Sequence, residues 1–264
     1  MVREIPGSEL LDSISPYGYP GGVVRGPGTE PPEPSAVDWS GTGLVSAFVR
    51  DRLARPPCLG GATVRSTVQV HDPAVERRLR SRFAEQIRRN SRLGYRIETV
   101  PGPESPPEAR AAFWALYIET MERAAAAPRY FFEPDYLDRI LDDPRSWLSL
   151  CLAPDATVAA GAIVAASDDL LHYYLGGTVA AHLSRSPFKN VVAAMVDLSD
   201  QRRTPLSLGG GVSPGDGLED FKRGFANAEL PFHTHELVCD EDEYSRLSEG
   251  RETSGFFPAY RAGA

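Results

Sequence analysis

The residues best suited to chemistry lie in segment 206–225, which reads L-S-L-G-G-G-V-S-P-G-D-G-L-E-D-F-K-R-G-F. Its apolar start predicts the end of a strand, and three consecutive glycines mark a place where the backbone approaches another group closely. Apolar residues then recur at helical spacing beside Lys222. An ammonium group at a glycine-lined strand end can stabilise a negatively charged oxygen. A Gly-rich hairpin with a solvated lysine fits the same residues equally well.

The overall composition limits the classes of protein that fit. With 264 residues the chain is long enough for one large domain or two small ones. The net charge of -8 argues against broad electrostatic binding of nucleic acid, but it permits one local basic surface. The three scattered cysteines argue against a disulfide framework and predict a reducing, cytoplasmic compartment. The first residues lack the apolar core of a signal peptide, and no run is apolar enough to predict a membrane span.

The one concentrated basic surface is predicted on a helix over residues 73–93. Asp72 is a suitable N-cap, and Pro73 suits the first helical position. Arginines dominate this segment, and they include Arg88, Arg89 and Arg92. Because guanidinium groups bind phosphate through forked hydrogen bonds, the helix is a candidate phosphate-binding surface. A solvated helix face, with long side chains covering apolar surface, explains the same pattern equally well.

The remaining pattern predicts a mixed α/β protein. Segment 44–53, L-V-S-A-F-V-R-D-R-L, has the spacing of an amphipathic helix. The proline-rich segment 101–107 predicts a connector, and hence a boundary between subregions. The other predicted strands are 62–70, 95–100, 147–152, 157–166, 170–175, 206–208 and 235–239, and the other predicted helices are 108–125, 134–141 and 190–202. A loop is predicted at 26–34 and a turn at 214–217.

Five short motifs occur in an order typical of one family. They are S-P-Y-G-Y-P-G at 15–21, I-R-R-N-S-R-L-G at 87–94, F-W-A-L-Y-I-E-T-M-E-R at 113–123, H-Y-Y-L-G-G-T at 172–178, and G-G-G followed by F-K-R-G-F at 209–225. On these motifs the chain resembles the Fem-type transferases (FemA/FemB/FemX-like), which use aminoacyl-tRNA and are built on GNAT-type acetyltransferase folds. The resemblance implies that a stretch which normally precedes the first motif is missing here, as is the coiled-coil arm of some members. The resemblance implies an α/β (α+β) GNAT-type fold, with an abbreviated N-terminal GNAT-like domain at 1–104 and a complete C-terminal one at 105–264.

The resemblance also implies an activity and a set of site residues. Fem-type enzymes transfer an aminoacyl group from aminoacyl-tRNA to the amine of a peptide, without a cofactor. Here the acceptor would be a peptidoglycan precursor or a peptide antibiotic intermediate, linked to a nucleotide or to a carrier protein. The family's lysine near the C-terminus, which stabilises the oxyanion, corresponds to Lys222. The implied substrate-binding residues are Arg123, Tyr173, Tyr174, Tyr17, Tyr19, Gly210 and Gly211, and the implied tRNA-binding residues are Arg88, Arg89 and Arg92.

Two other functions compete with this interpretation. An acyl-CoA-dependent GNAT N-acyltransferase would carry a glycine-rich loop after the central strand, where backbone N–H groups hold the pyrophosphate. The corresponding segment 180–190, A-A-H-L-S-R-S-P-F-K-N, has no glycine, which disfavours CoA. A non-catalytic binding module is the other alternative, because the first domain is expected to be abbreviated.

The sequence also offers candidates for a general base and for a metal site. Candidate bases are Asp216, Glu219, Asp220 and His172, although caps and packed side chains explain all four as well. His233 and His235 share one face of a predicted strand and could ligate a metal ion. No third ligand is evident in the sequence, so no metal is predicted.

Overall fold

The computed structural model describes residues 1–22, 30–167, 169–211, 215–251 and 255–262. These residues form two compact units, the first made of Met1–Thr67 and Leu230–Ala264 and the second of Val68–Glu229. The domains 1–104 and 105–264, which the family resemblance implies, stay a prediction. Residues 26–29 of the predicted 26–34 loop and Pro214 of the predicted turn lie outside the described residues.

The elements alternate between strands and helices along the chain. The strands are β1 Val2–Glu4, β2 Leu11–Ile14, β3 Leu44–Arg50, β4 Thr63–His71, β5 Arg96–Pro101, β6 Ser146–Leu152, β7 Val158–Ala166, β8 Leu171–Thr178, β9 Leu206–Gly209 and β10 Ala228–Val238. The helices are α1 Ser81–Arg92, α2 Pro107–Arg123, α3 Pro134–Leu141, α4 Phe188–Arg202, α5 Gly217–Arg223 and α6 Glu241–Ser248. The mixed α/β class is confirmed. No described helix is both long and apolar enough to cross a membrane.

In the first unit, strand β3 replaces the helix predicted at 44–53, and that prediction is wrong. β3 runs parallel to β2 and antiparallel to β10. Its residues 45–48 are buried without interruption, because neighbouring strands occupy both of its edges and both of its faces are covered. A strand buried on both faces loses the alternation of apolar and polar residues, so its sequence cannot be told from a helix by periodicity alone.

The second unit is built on a sheet with the strand order β4-β9-β8-β7-β6-β5. Helices α2 and α3 pack on one face, where Phe113, Leu116 and Leu141 meet Leu148 and Ile163. Helices α1 and α4 share a second apolar cluster, in which Phe83, Val192 and Met195 lie with residues of β6, β7 and β9. Every strand pair of this sheet is antiparallel except β8 with β9, which are parallel and are connected by α4.

The predicted basic helix is shorter than expected. It begins at Ser81 rather than near Pro73, so Arg77, Arg78 and Arg80 lie before it. Asp72 does accept the Ala74 N–H, but this bond closes a turn rather than starting a helix. The amide of Asn227 donates to the carbonyl oxygens of Asp72, Val75 and Glu76, and this holds the segment in a non-helical conformation.

Candidate functional site

The parallel strands β8 and β9 are paired only at their beginnings. Leu171 is opposite Leu206 and His172 is opposite Ser207, and the register ends there. β8 continues to Thr178 with β7 as its partner, so the two parallel strands diverge beyond His172. In open α/β sheets ligands bind at the carboxyl ends of parallel strands where their connections diverge. The end of β9 is therefore a candidate binding site.

A bulge in β8 separates the two tyrosines that the sequence could not distinguish. Val164 of β7 is opposite Tyr173 and Ile163 is opposite Leu175, which leaves Tyr174 as the extra residue. The Tyr173 ring packs on Phe188, with 5.6 Å between centroids. The Tyr174 hydroxyl forms a short hydrogen bond with that of Tyr136 on α3. Tyr173 therefore faces α4, whereas Tyr174 faces α3.

Lys222 lies beside Tyr173 and the end of β9. Its residue is only 8% exposed, and its Nζ donates to the Gly210 carbonyl oxygen at 2.6 Å. The same Nζ is 5.7 Å from the centre of the Tyr173 ring. Gly209 has a φ of +78°, and a Cβ there would lie 3.1 Å from Nζ. The glycine thus provides the backbone conformation that this turn requires and leaves room for the ammonium group.

An aromatic cluster surrounds Phe221, the residue that precedes the buried Lys222. Phe221 packs on Phe83 and Phe188, with ring centroids 5.6 and 6.2 Å apart. Burial lowers the pKa of Lys222 to about 8, and the Asp216 carboxylate partly opposes this shift. Burial also raises the pKa of Tyr173. A cation held in such a low-dielectric site interacts strongly with a nearby developing negative charge.

The sequence comparison identifies the family. Residues 77–223, more than half of the chain, match the acetyltransferase (GNAT) domain family. The chain belongs to this family. The predicted GNAT-type fold is thereby confirmed, and acyl transfer is the class of reaction that this fold carries out. No curated protein matches the chain significantly in sequence.

Solved structures with the same fold support the assignment of the GNAT superfamily. The C-terminal domain (DUF2156) of a putative lysylphosphatidylglycerol synthetase from Agrobacterium fabrum is 14% identical, with a TM-score of 0.57 over 76% of this chain and 70% of that chain. FemX is 14% identical, with a TM-score of 0.52 over 69% of this chain and 63% of that chain. L-PGS from Bacillus licheniformis is 11% identical, with a TM-score of 0.51 over 66% of this chain and 60% of that chain. The chain therefore spans less than two thirds of FemX and of L-PGS, and at these identities the likeness concerns the fold.

The other predicted substrate-binding residues have no contact within the described part of the chain that places them beside Lys222. Arg123 donates from Nη2 to the Thr178 carbonyl oxygen at 2.9 Å, which joins the end of α2 to the end of β8. In the first unit, Tyr17 is 84% exposed, and Tyr19 packs edge-on against Phe232 with centroids 5.0 Å apart. Gly211 is exposed. Lys222, Tyr173 and Gly210 are thus brought together, and substrate contacts by the others stay predictions.

The three predicted tRNA-binding arginines project from the exposed side of α1. Arg88, Arg89 and Arg92 are exposed, and no acidic side chain of the described residues forms an ion pair with them. By contrast, Arg77 pairs with Asp197 at 2.7 Å, and Arg80 holds Asp220 through two bonds of 2.8 Å. These three arginines, which lack an acidic partner among the described residues, thus lie together on the C-terminal half of α1.

The candidate bases of the GNAT chain have other roles. Asp216 caps α5 by accepting the Glu219 N–H, and Glu219 accepts the Gly215 N–H at 2.7 Å. Asp220 is held by Arg80. His172 forms a 3.0 Å hydrogen bond with Ser167, and burial lowers its pKa. These contacts explain the carboxylates as caps and ion pairs, and none of them requires a proton-transfer role.

Sequence reasoning missed the aromatic cluster around Phe221, the residue that precedes Lys222. Phe188 and Phe83 approach Phe221 from two different helices, and their sequence positions carry no sign of this convergence. The spacing of Phe221 and Phe225 around Lys222 was the only available signal, because it predicted that one face of α5 is buried.

Proposed function

We propose that this chain is an aminoacyltransferase, which forms an amide bond by moving an aminoacyl group from aminoacyl-tRNA to the amine of a peptide acceptor. The observation that carries the proposal is the buried Lys222 ammonium, held by Gly210 where β8 and β9 diverge. The GNAT fold, shared with FemX, supports the same class of reaction.

In the proposed reaction the acceptor nitrogen attacks the ester carbonyl carbon of the donor. A tetrahedral intermediate forms with the negative charge on the former carbonyl oxygen. An ammonium group has three N–H donors, and Gly210 uses one, so Lys222 can direct another at this oxyanion. The carbon–oxygen bond to the ribose then breaks, the amide forms, and the proton lost by the amine ends on the ribose oxygen. No covalent enzyme intermediate is required, because alignment and charge stabilisation suffice.

The segment after β8 supports a donor other than CoA. It contains no glycine and forms a short 3-10 helix at Ala180–Arg185. The Ala180 N–H is bound by the Glu119 carboxylate at 2.8 Å, so a negative charge already lies where this segment would have to hold a pyrophosphate. The Arg185 carbonyl oxygen accepts from Asn90 at 2.9 Å, which fixes the other end of the segment to α1.

A basic cavity supports an acceptor that carries phosphate. It has a volume of about 810 Å³ and lies beside the end of α5, and its charged lining residues are Arg77, Arg78, Arg80 and Arg223 with one carboxylate, Glu229. Arg78 is exposed and forms no ion pair with the described acidic residues. Because guanidinium groups bind phosphate in forked geometry, a nucleotide-linked peptide suits this cavity better than an uncharged one.

The proposal is tested by supplying the purified protein with two matched donors. An aminoacyl-tRNA and the corresponding aminoacyl-CoA thioester are each offered with an amine-bearing, nucleotide-linked peptide, and amide product is measured by mass spectrometry. We expect product from the tRNA donor without ATP or CoA. Product from the thioester alone would establish the alternative, an acyl-CoA-dependent N-acyltransferase. Donor and acceptor binding without product from either donor would indicate a binding module.

Charge reversal on α1 gives a separate prediction for the donor. The double substitution Arg88→Glu and Arg89→Glu will weaken the use of aminoacyl-tRNA. The logarithm of the tRNA affinity falls linearly with the logarithm of the salt concentration. The steepness of this line should decrease by about one for each substituted arginine, because each substitution removes one phosphate contact. Affinity is measured by filter binding over a series of salt concentrations.

A matched control separates this effect from net charge. Arg246→Glu with Arg251→Glu changes the total charge by the same amount on exposed residues of the first unit. This control should leave the salt slope unchanged. Equal slopes for the wild type and the α1 variant would mean that α1 is only a solvated helix face.

A further inference from the structure

A second cluster of reactive side chains lies in the first unit, around the end of β3. Asp51 directly follows β3, and its N–H donates to the His233 carbonyl oxygen of β10 at 3.0 Å. His235 is opposite Val49 in the same antiparallel pair. His235 and Asp51 are therefore diagonal neighbours on one face of the β3–β10 pair, where their side chains can reach each other. Cys58 comes from the loop that follows β3.

Three different ligand atoms converge in this cluster. The Asp51 carboxylate, the Cys58 Sγ and a ring nitrogen of His235 all lie within 4.8 Å of one another. His235 Nε2 is 2.8 Å from Asp51 Oδ2, and the Cys58 N–H donates to Asp51 Oδ1 at 3.0 Å. Asp51 and His235 are buried, and Cys58 is half-buried. The sequence indicated His233 and His235 as possible ligands without a third. In the structure the ligand atom of His235 lies instead with those of Asp51 and Cys58.

We propose that Asp51, Cys58 and His235 form a binding site for one Zn²⁺ ion, with the fourth coordination position left to solvent. Thiolate, imidazole and carboxylate are the ligands that Zn²⁺ takes in proteins, at about 2.0–2.3 Å, which separates neighbouring ligand atoms by about 3.5 Å. The observed separations need only small side-chain shifts to reach this spacing. Calcium and magnesium are disfavoured because they prefer oxygen ligands.

The charges in the site balance when the ion binds. The Cys58 thiol releases its proton to solvent, and thiolate and carboxylate together cancel the double charge of the ion. The His235 Nε2–H proton transfers to Nδ1, which is buried without a hydrogen-bond partner among the described residues. A neutral complex is compatible with burial, in which an uncompensated charge is costly.

A cysteine nucleophile fits the same residues less well. Imidazole activation would need the His235 ring to bind the thiol, but the ring is hydrogen-bonded to Asp51. A bound metal ion would be coordinated by Asp51, Cys58 and His235 together, whereas a nucleophilic Cys58 would leave the His235–Asp51 hydrogen bond without a role.

The test is a titration of the full chain with Co²⁺, after treatment with a chelator and a thiol reductant. We expect one equivalent to bind with a sulfur-to-cobalt charge-transfer absorption, and Zn²⁺ to displace it. Cys58→Ser should abolish this absorption, and His235→Gln should weaken binding at least about tenfold. Cys239→Ser and His233→Gln are matched controls, because both residues are half-buried and lie outside the cluster, and they should bind as the wild type does.

A second measurement needs no variant and so does not depend on whether Cys58→Ser folds. Alkylation of the wild-type chain is followed by peptide mass spectrometry with and without Zn²⁺. We expect the ion to protect Cys58 and to leave the reactivity of Cys239 unchanged. Absence of the charge-transfer absorption, its persistence in Cys58→Ser, or equal alkylation of Cys58 with and without Zn²⁺ would overturn the proposal.

Discussion

Replacing Lys222 by Met will lower the rate of aminoacyl transfer by about a hundredfold, the loss typical of removing one oxyanion-stabilising donor. Methionine keeps much of the side-chain volume, so the packing of Phe221 and Tyr173 around position 222 should persist. Donor and acceptor affinity should change little, because the ammonium acts on a charge that appears only in the transition state. Single-turnover rates with saturating aminoacyl-tRNA measure the effect. A rate equal to that of the wild type would remove Lys222 from the site.

The pH dependence distinguishes a charged Lys222 from a merely structural one. Burial lowers the pKa of this lysine to about 8, so the folded protein loses the ammonium charge as the pH rises through that value. The ratio of the wild-type rate to the Lys222→Met rate should therefore fall above pH 8. Using the ratio cancels the faster reaction of a deprotonated acceptor amine, which affects both proteins alike. A ratio that stays constant across this range would exclude the cationic role.

The same residue has a predicted signature in stability. The pKa of Lys222 is lower in the folded state than in the unfolded chain, so between about pH 8 and 10.5 the unfolded state binds more protons. The free energy of unfolding of the wild type should then rise with pH in this window, and that of Lys222→Met should lack this contribution. A charge that burial disfavours is kept at a cost to stability, which is expected at a functional position.

Phe113→Ala will lower the free energy of unfolding by about 3–5 kcal/mol, the usual loss for deleting a buried phenyl group. Phe113 is fully buried on α2 and stacks on Tyr117, with 6.3 Å between ring centroids. Its ring also lies against Gly161 of β7, where an added Cβ would come within 3.1 Å of it. The small residue on the strand and the large one on the helix fit each other, so alanine leaves a cavity that the sheet cannot fill.

Equilibrium urea unfolding measures this loss, with Leu218→Ala as the control. Leu218 is 42% exposed on the short helix α5, so its truncation should cost well under 1 kcal/mol. The slope of the unfolding free energy against urea should be the same in both variants. A loss below about 1 kcal/mol for Phe113→Ala would mean that α2 does not anchor the core of the second unit.

Several features of the protein could be predicted from local sequence. The predicted helix 108–125 is observed as α2, and the predicted strands 147–152 and 157–166 are observed as β6 and β7. In these segments the period of apolar residues and the flanking prolines or turn residues indicate the same element. The glycine-rich strand end followed by a lysine-bearing helix is observed as β9 and α5, and the predicted GNAT-type fold is confirmed by the family match.

The tertiary structure alone decided how the elements bring side chains together. The bulge that assigns Tyr173 and Tyr174 to different neighbours depends on the register between β7 and β8, which no single strand encodes. Asn227 prevents the helix predicted from Pro73 although it lies far along the chain, and Asp51 meets His235 across a separation of 184 residues. The period of apolar residues along the sequence indicates which face of a helix or strand is buried, but not which segments pack against that face. The burial of Lys222 and the convergence of Asp51, Cys58 and His235 arise from contacts that form only when distant segments pack.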